Sequence, residues 1–290
     1  MRFFKRIIFL VCISLIVCLT VNLDWAISKV NNINKVIVKE NGKIILKNVE
    51  SVYSVSSYNE LYNSVKTAVE NVNTSIKINL DKNYLSTKEE FLDTFKKINS
   101  YISPGQYLSS YSISYRNLSS YYIEIKYDGD INEIKKQRKM VKEKIPKIIG
   151  KIIKPSMTNK EKQKAIHDYI VENTYYDKKY IDNNETGVEV HTAYGALIKG
   201  KAVCDGYAIA MKDMLDYVGI ENIIVTGKAR NQPHAWNLIK IDNKWLHTDP
   251  TWNDTEYSLY SYYDKTSKEM LKTHSWESEN YKETKDSLNL

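Results

Sequence analysis

The stretch that most constrains this chain runs from Gly200 to Gly219. After Cys204, the residues Tyr207, Met211, Met214, Leu215 and Val218 recur at helical spacing on one face, and Gly219 stands where a C-terminal cap belongs. The pattern predicts a buried helix, with Cys204 in its first turn. Backbone N–H groups and the helix dipole at that end favour negative charge, and the thiolate is the reactive form of a cysteine nucleophile. Gly206 is expected to leave room for a substrate to come close.

A strand, turn and strand follow. Residues 233–241 read as a strand, Asp242-Asn243 as a two-residue turn, and residues 244–248 as the return strand, which ends at Asp249-Pro250. With Ile241 opposite Lys244, His234 faces Thr251 and Asp249 faces Trp236. His234 and Asp249 are then diagonal neighbours on one face, within reach of a side-chain hydrogen bond. An aspartate so placed can orient and charge an imidazole.

Cysteine usage singles out the same nucleophile. Of three Cys, Cys12 and Cys18 fall in an N-terminal segment that reads as an export signal: basic Arg2, Lys5 and Arg6, an apolar run from Ile7 to Val21, then Ala26-Ile27-Ser28 as a small-x-small cleavage pattern. The segment, residues 1–28, is expected to be a cleaved signal peptide, with an uncleaved N-terminal membrane anchor as the other option. Cys18 sits as in a lipoprotein signal, but Val17 is too large for the residue before it. Each reading makes the protein extracytoplasmic, either secreted or anchored in the cell envelope. Removing the segment leaves Cys204 alone, unable to form an intrachain disulfide or a multi-Cys zinc site.

Upstream, residues 29–135 read as a separate, smaller N-terminal α+β domain. Its expected elements are a hairpin over 35–47 turning at Asn41-Gly42, a helix over 58–72, a strand over 75–80 and a helix from Ser86 toward Ile98. A turn at Ser103-Pro104-Gly105 and two Tyr-rich strands, 107–116 and 121–127, follow, the tyrosines read as packing. No nucleophile constellation occurs there. A Lys-rich helical stretch from Ile131 to Ile153 is expected to be broken into pieces by Pro146, Gly150 and Pro155, and residues 158–173 form another helix.

The formal charge is +7, yet only five of the 42 basic residues are Arg, and Lys is scattered along the chain. That is a solvated surface rather than a nucleic-acid footprint. Hydrophobic residues at 42% and charged residues at 27% place the chain among globular proteins.

Three stretches, Gly-Lys-Ala-Val-Cys-Asp-Gly-Tyr-Ala (200–208), His-Ala-Trp-Asn (234–237) and Trp-Leu-His-Thr-Asp-Pro-Thr-Trp-Asn (245–253), resemble the bacterial transglutaminase-like superfamily. The order Cys, His, Asp is similar too, and Thr273-His274-Ser275-Trp276 resembles a C-terminal motif of such proteins. The resemblance covers about residues 140–280 and implies an α+β fold: a papain-like transglutaminase-like catalytic domain over 136–290, preceded by the smaller α/β N-terminal domain. Position by position it implies Cys204 as nucleophile, His234 as base and Asp249 as orienter. No cofactor and no metal are expected, since no third ligand has suitable spacing to His234 and Asp249. The second oxyanion donor is not assignable; Tyr194 and Trp236 are near in sequence but read better as core. His167, His191, His247 and His274 read as structural, although His247 shares the triad face by parity.

The expected function is exported, cysteine-dependent acyl transfer from peptide or side-chain amides through a thioester, as a peptidase or amidase (a hydrolase) or as a transglutaminase. The substrate would be a protein or peptide, such as an envelope protein or peptidoglycan stem peptide, with no nucleic acid and with the membrane met only through the N-terminal segment. The competing reading is a catalytically inactive transglutaminase-like surface module that binds cell-wall polymer or a partner protein.

Overall fold

The computed structural model describes residues 35–40, 43–102, 107–178, 187–254, 259–281 and 283–286. The export segment, the Asn41-Gly42 turn and the Ser103-Pro104-Gly105 turn lie outside the described residues.

Two four-stranded sheets organise the chain. The first is built from β3 (Ser51–Val55), β4 (Ser75–Leu80), β5 (Leu108–Asn117) and β6 (Ser120–Tyr127), in the order β3-β4-β6-β5, with only β3 and β4 parallel. It is preceded by an antiparallel pair, β1 (Lys35–Glu40) and β2 (Lys43–Asn48). Helices α1 (Tyr58–Glu70) and α2 (Lys88–Ile102) cover the sheet. Leu61 and Val65 from α1 and Phe91, Phe95 and Ile98 from α2 join Ile76, Ile78, Tyr121 and Ile123 in one core. Tyr121 stacks on Phe91 at 3.6 Å between ring centroids, so part of the tyrosine content is core packing.

The Lys-rich stretch is one helix, α3 (Ile131–Ile152), and not the broken pieces its prolines and glycine suggest. Pro146 lies inside it. Both Pro146 and Lys142 are exposed, so the Lys142 carbonyl that loses its N–H partner faces water. The buried stripe Ile134, Gln137, Val141, Ile145, Ile148 and Ile149 runs through the proline unbroken. Helix α4 (Asn159–Asn173) follows, closed at its start by a reciprocal Thr158–Glu161 capping box.

The second sheet holds the site. A short parallel pair, β7 (Tyr175–Tyr176) and β8 (Lys201–Ala202), leads into helix α5 (Cys204–Tyr217). Gly219, with φ 74°, follows the helix in the left-handed conformation that its position requires. The sheet itself is antiparallel: β9 (Asn222–Ala229), β10 (Gln232–Ile241), β11 (Lys244–Thr248) and, after the short helices α6 (Pro250–Asn253) and α7 (Ser267–Met270), β12 (His274–Ser275). The order is β11-β10-β9-β12. Asp242 and Asn243 form the two-residue turn with φ 49° and 62°, and Ile241 pairs with Lys244. One face packs on α5 through Ile224, Ala235, Ile239 and Ile241. The other face buries Trp236, Val225, Leu238 and Met270. Among the described residues, no helix is long and apolar enough to cross a membrane.

Candidate active site

Helix α5 presents Cys204 as its first residue. Val203 is the N-cap and supplies no side-chain hydrogen bond; the Asp205 carboxylate takes the Gly206 N–H at 3.0 Å, one of the N–H groups that this end leaves without a helical partner. Gly206 has a different task from the one its position suggests. A Cβ there would lie 2.5 Å from the Val190 carbonyl oxygen and 2.8 Å from the Ala202 Cβ. The missing side chain lets the chain before β8 pack on the helix start; it does not make room for substrate.

Strand β10 carries His234 beside the helix start. Its ladder with β11 stops at Asn237–Thr248, so His234 and Asp249 do not face each other across a continued sheet. Asp249 instead turns out of the strand as N-cap of α6. Its Oδ1 accepts from the backbone N–H groups of Thr251 (3.0 Å) and Trp252 (3.1 Å), and its Oδ2 accepts from His234 Nε2 at 2.8 Å. The Asp249 carboxylate is wholly buried. With Nε2 engaged by Asp249, Nδ1 is left free of that bond, and the charge of Cys204 acts on the same imidazole.

These contacts decide the protonation state. Burial disfavours the His234 imidazolium, but the Asp249 carboxylate and Cys204 outweigh it and raise the group to about 10. Burial also works against the Asp249 charge, and His234 and His274 reverse it, holding the carboxyl at about 2. At neutral pH the pair is therefore imidazolium and carboxylate.

His274 is the residue whose place sequence reasoning missed. Its Nε2 lies 3.2 Å from the same Asp249 Oδ2, and Thr273 Oγ1 holds its Nδ1 at 2.9 Å. Two imidazoles thus share one carboxylate oxygen. Strand β12 reaches this position because residue 227 is glycine: a Cβ there would lie 2.1 Å from the Ser275 carbonyl oxygen. His234, Asp249 and His274 have ligand atoms within 4.8 Å of one another, so the fold supplies the third metal-ligand type that local spacing did not offer. Two N–H donors on one acceptor oxygen satisfy the same atoms without an ion.

The remaining histidines support the frame. His247 bears the same diagonal relation to Trp236 that Asp249 bears to His234. Trp236 Nε1 donates to His247 Nδ1 (2.9 Å), and His247 Nε2 donates to Ser267 Oγ (2.9 Å). Burial, with the His274 charge, pushes His247 down to about 3, so it stays a neutral, packed ring. His167 is buried in α4, where its Nε2 accepts from Asn253 Nδ2 at 2.9 Å. His191 Nδ1 lies 2.7 Å from Oδ2 of Asp205, the residue after Cys204.

A cavity of 450 Å³ lies elsewhere. Tyr62 and Lys66 of α1, Arg138 of α3, Tyr194, and Asp213 and Asp216 of α5 line it, and Cys204, His234 and Asp249 do not. Tyr194 therefore borders this cavity.

The transglutaminase-like superfamily model matches residues 146–250, the span from late α3 through Asp249. The chain carries a transglutaminase-like domain. Solved structures similar to it include a crystal structure of a TGase, at 13% identity and TM-score 0.36, covering 77% of this chain and 65% of its own. A candidate cysteine protease from Cytophaga hutchinsonii has 17% identity and TM-score 0.31, covering 50% of this chain and 65% of its own. A candidate protease from Parabacteroides distasonis has 10% identity and TM-score 0.29, covering 60% and 39%. The chain thus spans just under two thirds of the first two structures. No curated protein matches the chain. In the transglutaminase-like domain Cys204, His234 and Asp249 lie inside the matched span, whereas His274 lies beyond it.

Proposed function

We propose that this protein is an exported, cysteine-dependent acyl-transfer enzyme that acts on peptide or side-chain amides through a thioester. The support is the pairing of His234 Nε2 with a buried Asp249 at 2.8 Å, with Cys204 at a helix N-terminus and its charge acting on the same imidazole. In this reading the Cys204 thiolate attacks the amide carbonyl carbon, and a C–S bond forms. The C–N bond then breaks, and the departing amine takes a proton from His234. Water or a second amine next attacks the thioester while His234 accepts its proton, and the Cys204 thiolate is released. Asp249 keeps the imidazole oriented and stabilises its charge throughout.

Export is supported by the basic residues and apolar run of residues 1–28. With that location, envelope proteins or peptidoglycan stem peptides are the proposed substrates. The test is alkylation of Cys204 by iodoacetamide. Wild type should react rapidly at neutral and mildly acidic pH, and His234→Ala should lose that reactivity. Slow reaction confined to high pH would remove the enzyme reading and leave the inactive surface module. Mass spectrometry of envelope peptides incubated with wild type and Cys204→Ala then separates gain of water from amine exchange.

A further inference from the structure

The thioester reading leaves one part unfilled. As the thiolate adds to the carbonyl, the oxygen becomes an oxyanion, and the backbone N–H at Cys204 is only one donor. The aromatic donors around the site can be sorted by what already engages them. The Trp236 indole is bound by His247 at 2.9 Å. The Tyr207 hydroxyl is already engaged, lying 2.9 Å from the Thr174 carbonyl and in contact with the Asp254 carboxyl. Tyr194 lines the 450 Å³ cavity.

Tyr176 is different. It lies on β7, opposite Ala202 of β8, two residues before the nucleophile. The pairing is fixed by Tyr175 N–H to the Gly200 carbonyl and Asp177 N–H to the Ala202 carbonyl, both 2.9 Å. Strand alternation turns Tyr175 outward, 73% exposed, and Tyr176 inward. The Tyr176 ring sits 6.4 Å from that of Tyr207, which is one helical turn beyond Cys204 on the same face of α5. Its hydroxyl has no hydrogen-bond partner among the described residues. Burial pushes the phenol up to about 12, and the charges that act on it next are those of Cys204, Asp205 and Asp249. It therefore keeps its proton at working pH and stands among the groups of the triad. The His191 ring is engaged by Asp205, its Nδ1 2.7 Å from Oδ2.

We propose that the Tyr176 hydroxyl is the second oxyanion donor, a catalytic residue that hydrogen-bonds the carbonyl oxygen during attack by Cys204. This rests on the acyl-transfer reading above. The thiolate pair becomes the C–S bond, and the carbonyl π pair moves onto oxygen, where Tyr176 O–H and the Cys204 N–H stabilise it without giving up their protons. The pair returns as the leaving group departs.

Two probes separate this role from packing. Iodoacetamide alkylates sulfur by displacement at a saturated carbon and forms no oxyanion. p-Nitrophenyl acetate acylates sulfur through a tetrahedral oxyanion and releases p-nitrophenolate. Tyr176→Phe removes only the oxygen. It should keep the iodoacetamide rate within about 2-fold of wild type while slowing acylation by p-nitrophenyl acetate about 10²-fold. Unchanged acylation overturns the proposal, and so does an equal fall in both rates, which would mark Tyr176 as a packing residue. If wild-type alkylation proves indifferent to His234→Ala, the enzyme reading itself fails, a result distinct from either.

Discussion

At the scale of single residues, Asp249 Oδ2 organises the site. It accepts from His234 at 2.8 Å and from His274 at 3.2 Å inside a buried environment. The linked stability has a definite pH window. His234 is raised from 6.5 to about 10, so its contribution is complete below pH 6.5 and is lost as pH rises through about 10. Asp249 is lowered from 3.8 to about 2, so its contribution is present above pH 3.8 and is lost as pH falls toward 2. Asp249→Asn should therefore lower the melting temperature most between about pH 4 and 6.5, with the gap to wild type closing at both extremes. Thermal scans across pH read this directly. The same variant should slow substrate turnover by at least about 10²-fold, because the ring loses its charge partner and tautomer control. The place of Cys204 at a helix start was legible from helix period, and the closeness of His234 and Asp249 from motif and parity, although Asp249 reaches the ring as the N-cap of α6 and not across the ladder. His274 was legible only as part of a resembling motif, because its contact with Asp249 runs across β9, and no local spacing records that.

At the scale of elements, amphipathic periods carried most of the reading and isolated breaker residues misled it. Helix α3 runs through Pro146 because its inward stripe is intact and the freed carbonyl is solvated. Restoring the N–H with Pro146→Ala should stabilise the protein by about 1–3 kcal/mol, measured by denaturant unfolding. A neutral result would mean that the local bend already removes the clash. Strand β9 escaped the sequence reading for the opposite reason. It lies between β10 and β12, buried on both faces in its first half, so its pattern does not alternate cleanly. Gly227 interrupts its second half, and that glycine's purpose appears only when β12 docks against it. Gly206 misled similarly: a small residue beside a nucleophile suggests open space, and here the Val190 carbonyl fills it.

At the scale of the whole molecule, the two sheets have separate cores, and α1 meets α5 around the 450 Å³ cavity. Lys66 of α1 reaches Asp216 of α5 at 3.0 Å, and the Tyr107 hydroxyl donates to Gln137 of α3. Asp213 lines the same cavity. Burial, followed by the charge of Asp216, raises it from 3.8 to about 6. A carboxyl raised in the folded state disfavours folding by an amount that grows as pH rises from 3.8 to about 6 and is complete above that. Asp213→Asn should consequently raise the melting temperature at pH 7.5 and leave it nearly unchanged near pH 3.5, with differential scanning calorimetry as the check. A drop at pH 7.5 would mean that its attraction to Arg138 outweighs its burial. This arrangement could not be read from the sequence, because the lining comes from five separated segments. The shared carboxylate oxygen has a final consequence, one of timing. His274 enters on the last strand of the sheet, so a chain still being synthesised holds Cys204, His234 and Asp249 well before the second ring can reach that carboxylate. The completed geometry is a property of the finished polypeptide, and a truncation ahead of residue 274 leaves the triad residues present but that carboxylate half-bound.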